Sequence, residues 1–331
     1  MTESVLLVVS FAVMVAGAGV FTNAVEWAGV RLGLGQGAVG SVLAAVATAM
    51  PESLIPVIAI ITGGQEADPV AIGAIVGAPF LLATLALAVC GVSALVYRGR
   101  RVSARLQPDR GATARDLWVI VGALLLAIVA GLANVGPLRI ATAAVLLAGY
   151  AILTWRTIVQ GREEGGADEP ASLYFDTTKN DPPTNLQIIV QVVVSVGMLI
   201  GAAQLFVSNI EHLAHGFGID PLILTLVIAP LATELPETLN SVIWIRQGKD
   251  TLALGNVTGA LVLQSMPLVA FGLLFTGWQL SAPALAAMLA ALAGSGLGLV
   301  AVLRKRGWPT PFVTCSAGLY LGGIAAILIA T

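Results

Sequence analysis

A chain of 331 residues with 57% hydrophobic and only 10% charged side chains has a mean hydropathy of +0.94, where a soluble domain carries about 25% charged residues. That composition excludes an ordinary soluble globule and assigns the chain to the polytopic membrane proteins. The net charge of −2 offers no basic face to a nucleic acid, and the two cysteines, Cys90 and Cys315, sit in apolar runs and read as small hydrophobes, not as a disulfide framework or metal ligands.

A membrane-spanning helix needs about 20 mostly apolar residues. The first such run, 4–28, has no basic segment ahead of it and reads as a membrane helix, not a cleaved signal. Runs at 38–62 and 69–97 follow, the acidic loop QEADP (65–69) lying between them. Segment 98–116 carries Arg98, Arg100, Arg101, Arg105, Arg110 and Arg115. Runs 117–135 and 138–159 are divided only by an Asn-Val-Gly-Pro turn. Segment 160–186 is rich in Gly, Pro and acidic residues and reads as a flexible, solvated linker. Then come 187–209, 221–245, 251–276, 280–303 and 310–330. His212 and His215 fall between the first two of these and read as part of a solvated interfacial turn. The expected fold is all-α: ten transmembrane helices, with a first five-helix repeat over 1–160, a linker over 161–186 and a second repeat over 187–331. If the arginine-rich loops face the cytoplasm, all but one of the 16 basic residues, Arg139, lie on or beside that side. Both termini are then outside a plasma (inner) membrane.

The two halves resemble each other. Residues 47–53 read ATAMPES and residues 232–238 read ATELPET; the same offset places Gly63 on Gly248 and Glu26 on Glu211. Slightly further on, GAIVGA (73–78) falls on GNVTGA (255–260). Five spans is an odd number, so the second half must enter the membrane reversed. This is the inverted-repeat plan of secondary transporters, whose sites form at the midplane between interrupted helices.

The repeated segments carry chemistry. A carboxylate at membrane depth costs at least about 2.5–3.5 kcal/mol and faces the bundle interior. Glu52 and Glu237 are such carboxylates, and they meet if their spans cross. Pro51 and Pro236 have no N–H and leave the carbonyls of Ala47 and Ala232 without helical donors. Such carbonyls are tolerated where they line a cavity or bind an ion. Thr48 and Thr233, four residues before each glutamate, share its helical face. All these ligands are hard oxygens, which suits Ca2+; zinc or copper would call for nitrogen or sulfur. Gly73, Gly77, Gly255 and Gly259 make G-x-x-x-G spacings whose main expected role is close helix packing.

At these residues the sequence resembles the sodium/calcium exchanger family, whose two inverted repeats each carry a G-T-S-x-P-E type and a G-N-x-x-G-S-N type motif. The best match is ATELPE (232–237) followed by DTLALGNVTGA (250–260). The resemblance implies alternating-access exchange of Ca2+ against Na+ or H+, with Glu52 and Glu237 as shared ligands and Thr48 and Thr233 supplying oxygens. Asn256 and Gln264 occupy further ligand positions of the family motif. The departures are specific. Ala49 and Glu234 stand where the family has a hydroxyl; Ala78 and Ala260 replace the Ser after the glycines; Leu82 and Gln264 stand at a polar or acidic position; Ala74 faces Asn256 across the repeat. Oxygens that resemble sodium ligands are thus largely lost, and Glu234 adds a third carboxylate. It either holds a proton that replaces some of the sodium or attracts cations from a watery entrance. No cofactor is expected, only transported Ca2+, Na+ or H+. The partners are inorganic cations and the lipid bilayer; nothing in the sequence speaks to an oligomeric state. A monovalent cation/proton antiporter of the same fold is the alternative. A channel or an intramembrane enzyme is more remote: there is no H-E-x-x-H or G-x-S-x-G.

Overall fold

The computed structural model describes residues 2–31, 50–63, 66–100, 105–163, 171–176, 182–304, 308 and 310–330. The first half contains α1 (Thr2–Arg31), α2 (Met50–Thr62), α3 (Ala67–Leu81), α4 (Leu87–Val96), α5 (Arg110–Ala133) and α6 (Gly136–Glu163). The second contains α7 (Asn185–Phe217), α8 (Pro221–Thr233), α9 (Leu235–Arg246), α10 (Asp250–Leu263), α11 (Val269–Phe275), α12 (Ala282–Leu303) and α13 (Thr310–Ile329). Among the described residues, eight helical runs are long and apolar enough to cross a membrane. The broken pair α8–α9, and the span that ends in α2, bring the crossings to ten. Residues 38–49 of that latter span lie outside the described residues.

Helix ends follow local chemistry. Asp109 and Asp220 cap α5 and α8, accepting from the N–H groups of Ala112 and Leu222 at 2.7 and 2.8 Å. Asn134, at φ 49°, ends α5 in the left-handed conformation and makes the tight turn into α6.

The repeat is written into the backbone. α3 joins α4, and α10 joins α11, through single π-helical turns at Leu82–Ala86 and Gln264–Leu268, 182 positions apart. Pro267 lies inside the second turn and Pro79 just ahead of the first, so a missing N–H accompanies each widening of the helix. Gly63 and Gly248 end the helices before them with φ of 70° and 77°. Contacts come in matching pairs: α2 on α3 and α9 on α10, α4 on α13 and α11 on α6, α3 on α12 and α10 on α5. Asp68, at the start of α3, accepts from the N–H of Gly277 at 2.7 Å, and Asp250, at the start of α10, accepts from that of Gln107 at 2.7 Å. Each carboxylate fastens the loop that follows the other half's π-containing span, so the two loops are tied down in the same manner.

These π-containing spans form the centre. In Ala67–Val96 83% of the most apolar stretch is buried, against 17% in Gly136–Arg156 on the periphery. Gly73 and Gly77 let α3 lie directly on α8: a Cβ at either would strike the carbonyls of Leu222 and Leu226, with Thr225 and Pro230 behind them. Nothing described lies within 4 Å of a Cβ on Gly255 or Gly259. Their repeat-related neighbours would come from 36–48, outside the described residues, so the packing role expected for this second pair is not seen.

Three expectations change. Segment 171–176 is not a free linker: Asn23 and Trp27 of α1 donate to the carbonyl of Ala171 at 3.0 and 2.9 Å, and Asn23 and Gln191 accept from the N–H groups of Tyr174 and Phe175. Leu173 is buried beside Ala24, Trp27 and Ile188. Composition marked the segment as loop, but side chains that satisfy its backbone fix it in place. His212 and His215 belong to α7, which continues to Phe217, and not to a loop. Arg139, the exception to the charge pattern, clasps the loop before α12, donating to the carbonyls of Gly277 and Thr276 at 2.6 and 2.9 Å.

The α3–α8 contact can be tested. Gly77→Ala should destabilise the protein by about 1–3 kcal/mol through overpacking. Gly122→Ala, in open space, should leave stability unchanged or slightly raised. Thermal unfolding in detergent, followed by the reactivity of buried Cys90, reads both.

Candidate cation site

The stretch ATELPET interrupts a helix at a single residue. α8 stops at Thr233, Glu234 takes φ −87° and ψ 0°, and α9 restarts at Leu235. Pro236 sits in the first turn of α9, where its missing N–H costs nothing; one turn earlier the same lack deprives the carbonyl of Ala232 of a helical donor. The first half repeats half of this arrangement. α2 is described from Met50 onward, contains Pro51 and carries Glu52 next to it, as α9 carries Pro236 and Glu237. Helix N-termini concentrate unpaired N–H groups and partial positive charge, which favours an ionised carboxylate there. The opposite end of α8 directs carbonyls toward the same break.

The two segments meet. Glu52, Glu234 and Glu237 are 3%, 0% and 2% exposed. One carboxylate oxygen from each lies within 4.8 Å of the others. This is the separation of oxygens on opposite sides of a Ca2+ ion held at about 2.3–2.6 Å. Both oxygens of Glu52 and one of Glu234 meet no hydrogen-bond donor among the described residues. Neither stretch 32–97 nor stretch 187–245 contains a Lys or Arg, so the spans that carry the cluster bring no cation of their own.

Around the carboxylates, Gln264 on the second π turn donates its amide to Glu234 Oε1 at 2.6 Å. Its own Oε1, and the hydroxyl of neighbouring Ser265, are buried without a partner among the described residues. Thr233 lies beside Glu52, its hydroxyl donated back to the carbonyl of Ala229 at 3.1 Å. Asn256 reaches the same segment as a brace. Its amide donates to the Glu237 carbonyl at 2.9 Å and to Ser241 at 3.2 Å, and Ser241 in turn donates to the carbonyls of Glu237 and Ala253. Thr48 and Ala47 lie outside the described residues, and of Ala232, Pro51 and Pro236 only the backbone is described.

Glu234 is therefore buried within the cluster. Two contributors were not apparent in the sequence. Ser241 follows Glu237 by four residues, a helical spacing that could have flagged it. Asp116, buried on α5, is bonded to Arg115 and to Thr258 of α10; it ties α10 to its neighbour, and no spacing announces it. Chemically the arrangement is a buried cluster of carboxyl oxygens shared between two halves of a bundle, and it suits a hard cation.

The sodium/calcium exchanger protein family matches residues 3–159 and 187–328. The chain is 28% identical over 132 residues to CaxA of Alkalimonas amylolytica, a protein whose name describes an antiporter; the match covers 40% of this chain and 41% of that relative's length. Among solved structures, the crystal structure of the H+/Ca2+ exchanger CAX superposes with a TM-score of 0.68 at 16% identity, covering 99% of this chain and 90% of that one. Native YfkE gives 0.68 at 15% identity, covering 98% and 92%. The sodium-calcium exchanger NCX_Mj gives 0.58 at 20% identity, covering 97% and 98%. At these identities the superpositions establish the fold.

The brace on α9 predicts a measurable cost. Asn256→Ala, which removes both donated bonds, should destabilise the protein by about 1 kcal/mol, read as a lowered unfolding midpoint of the detergent-solubilised protein. An unchanged midpoint would show that the bonds to Glu237 and Ser241 carry no weight.

Proposed function

The chain belongs to the sodium/calcium exchanger family, and on that premise we propose that it is a secondary active antiporter that carries Ca2+ on Glu52 and Glu237 in exchange for Na+ or H+. The observation that carries this reading is the meeting of carboxylates from both halves, Glu52 with Glu234 and Glu237, in one buried cluster.

Inverted halves around a shared site are the architecture of alternating access: one bundle rocks against the other while the site stays at the midplane. The carboxylates supply what the step requires. Left ionised in an apolar bundle, they repel one another and lack water; a bound cation removes both penalties. The protein therefore crosses between its two states with the cluster neutralised, and one cation must replace another. This requirement is the origin of exchange.

The third carboxylate shapes the coupling. Ionised, the cluster carries three negative charges, so more than one monovalent ion must take the place of each Ca2+ on the return step. Ala78, Ala260 and Leu82 take away oxygens that resemble sodium ligands, which favours H+ for at least part of the counter-flux. With the arginine-rich loops in the cytoplasm, both described chain ends face the outside of the plasma membrane.

Proteoliposomes test the proposal. Ca2+ uptake driven by a pH gradient or a Na+ gradient should fall to background in Glu52→Gln and in Glu237→Gln. Full activity in either variant removes the central assignment. Ca2+ uptake under a pH gradient without Na+ is expected in the unmodified protein, and its absence would eliminate H+ as the counter-ion.

A further inference from the structure

The scaffold of the two halves repeats closely, but the site does not. Among the positions where the second half has a polar residue and the first an apolar one, Glu234 stands where the first half has Ala49, and Gln264 where it has Leu82. The two replacements are 30 residues apart in sequence and touch in space, Gln264 Nε2 lying 2.6 Å from Glu234 Oε1 with both residues fully buried. Each residue is costly alone at this depth. A lone Glu234 would be a buried carboxylate with no donor, and a lone Gln264 a buried amide with no acceptor. Together they hold each other, and they still leave Glu234 Oε2 and Gln264 Oε1 buried without partners among the described residues. Both are acceptor oxygens, the kind of atom a cation recruits.

We propose that Glu234 and Gln264 act as one unit that sets the preference of the site for divalent over monovalent cations. The proposal rests on the reading of the cluster as a cation site. Gln264 is the positioning residue: its amide pins one carboxylate oxygen of Glu234, so the other faces the cluster, and its own carbonyl oxygen adds a neutral ligand. The π turn is what allows this, because it places Gln264 at the break between α8 and α9. The selectivity follows from charge. A third carboxylate attracts a divalent ion twice as strongly as a monovalent ion at the same distance, so fixing it in the cluster raises affinity for Ca2+ more than for Na+.

The repeat supplies the variants. Gln264→Leu installs the residue that the first π turn carries, and Glu234→Ala installs the counterpart of Ala49, so each substitution has a precedent within the chain. Equilibrium Ca2+ binding by the purified protein, and its displacement by Na+, are the readouts. Each single variant should raise the Ca2+ concentration for half-saturation about tenfold or more, with a smaller change for Na+. The double variant should be no worse than either single one, because one unit has been removed once. The exchanged pair, Glu234→Gln with Gln264→Glu, keeps one carboxylate and one amide in contact and should recover most of the lost affinity. Unchanged Ca2+ affinity in Gln264→Leu, multiplying effects in the double variant, or no recovery in the exchanged pair overturns the proposal. Glu52→Gln, measured in parallel, separates the levels. If it abolishes Ca2+ binding while the pair variants behave like the unmodified protein, only this inference fails; if it binds Ca2+ normally, the cation-site reading fails first.

Discussion

Three carboxylates held within 4.8 Å of one another, in an apolar bundle, repel each other and have little water to share. Most of the surrounding architecture answers that constraint. The helix of the second half is interrupted at Glu234, so Glu237 occupies the first turn of α9, where a helix favours a carboxylate. Gln264 satisfies one oxygen of Glu234. Asn256 and Ser241 hold the first turn of α9 on α10, so the restart after the break does not drift. On the reading proposed above, what these contacts leave uncompensated is left to a transported ion.

A symmetric scaffold and an asymmetric site serve different ends. The π turns, the left-handed glycines Gly63 and Gly248, and the loop-fastening Asp68 and Asp250 recur in both halves. Two halves built alike but inverted give two packings of comparable energy, which is what an alternating-access cycle needs if neither state is to trap it. The side chains at the centre break the symmetry: Ala49 against Glu234, Leu82 against Gln264, Ala74 against Asn256 and Val76 against Thr258. In the proposed cycle the duplicated backbone supplies the motion, and the unduplicated residues supply the ion chemistry.

Much of this was legible from the chain alone because its causes are local. Apolar runs interrupted by turn residues marked the spans. The T-x-x-P-E segments marked the carboxylates that meet, since a proline and a carboxylate are each costly inside an apolar helix and the two recur together in both halves. The Glu234–Gln264 bond was not legible, because it depends on where the π turn places a residue 30 positions away. The docking of 171–176 was hidden for a similar reason. Its own composition is that of a loop, and the residues that hold it, Asn23, Trp27 and Gln191, belong to helices on either side of it in the chain. Arg139 looked like a violation of the charge pattern because charge statistics do not see the two carbonyls it clasps.

The central claim is that the two halves build one cation site between them. Calorimetric titration of the purified protein with Ca2+ tests it most directly. One ion bound per chain, and none in either Glu52→Gln or Glu237→Gln, is the predicted result. Two ions per chain, with each variant losing only one, would mean that each half binds its own ion and would contradict it.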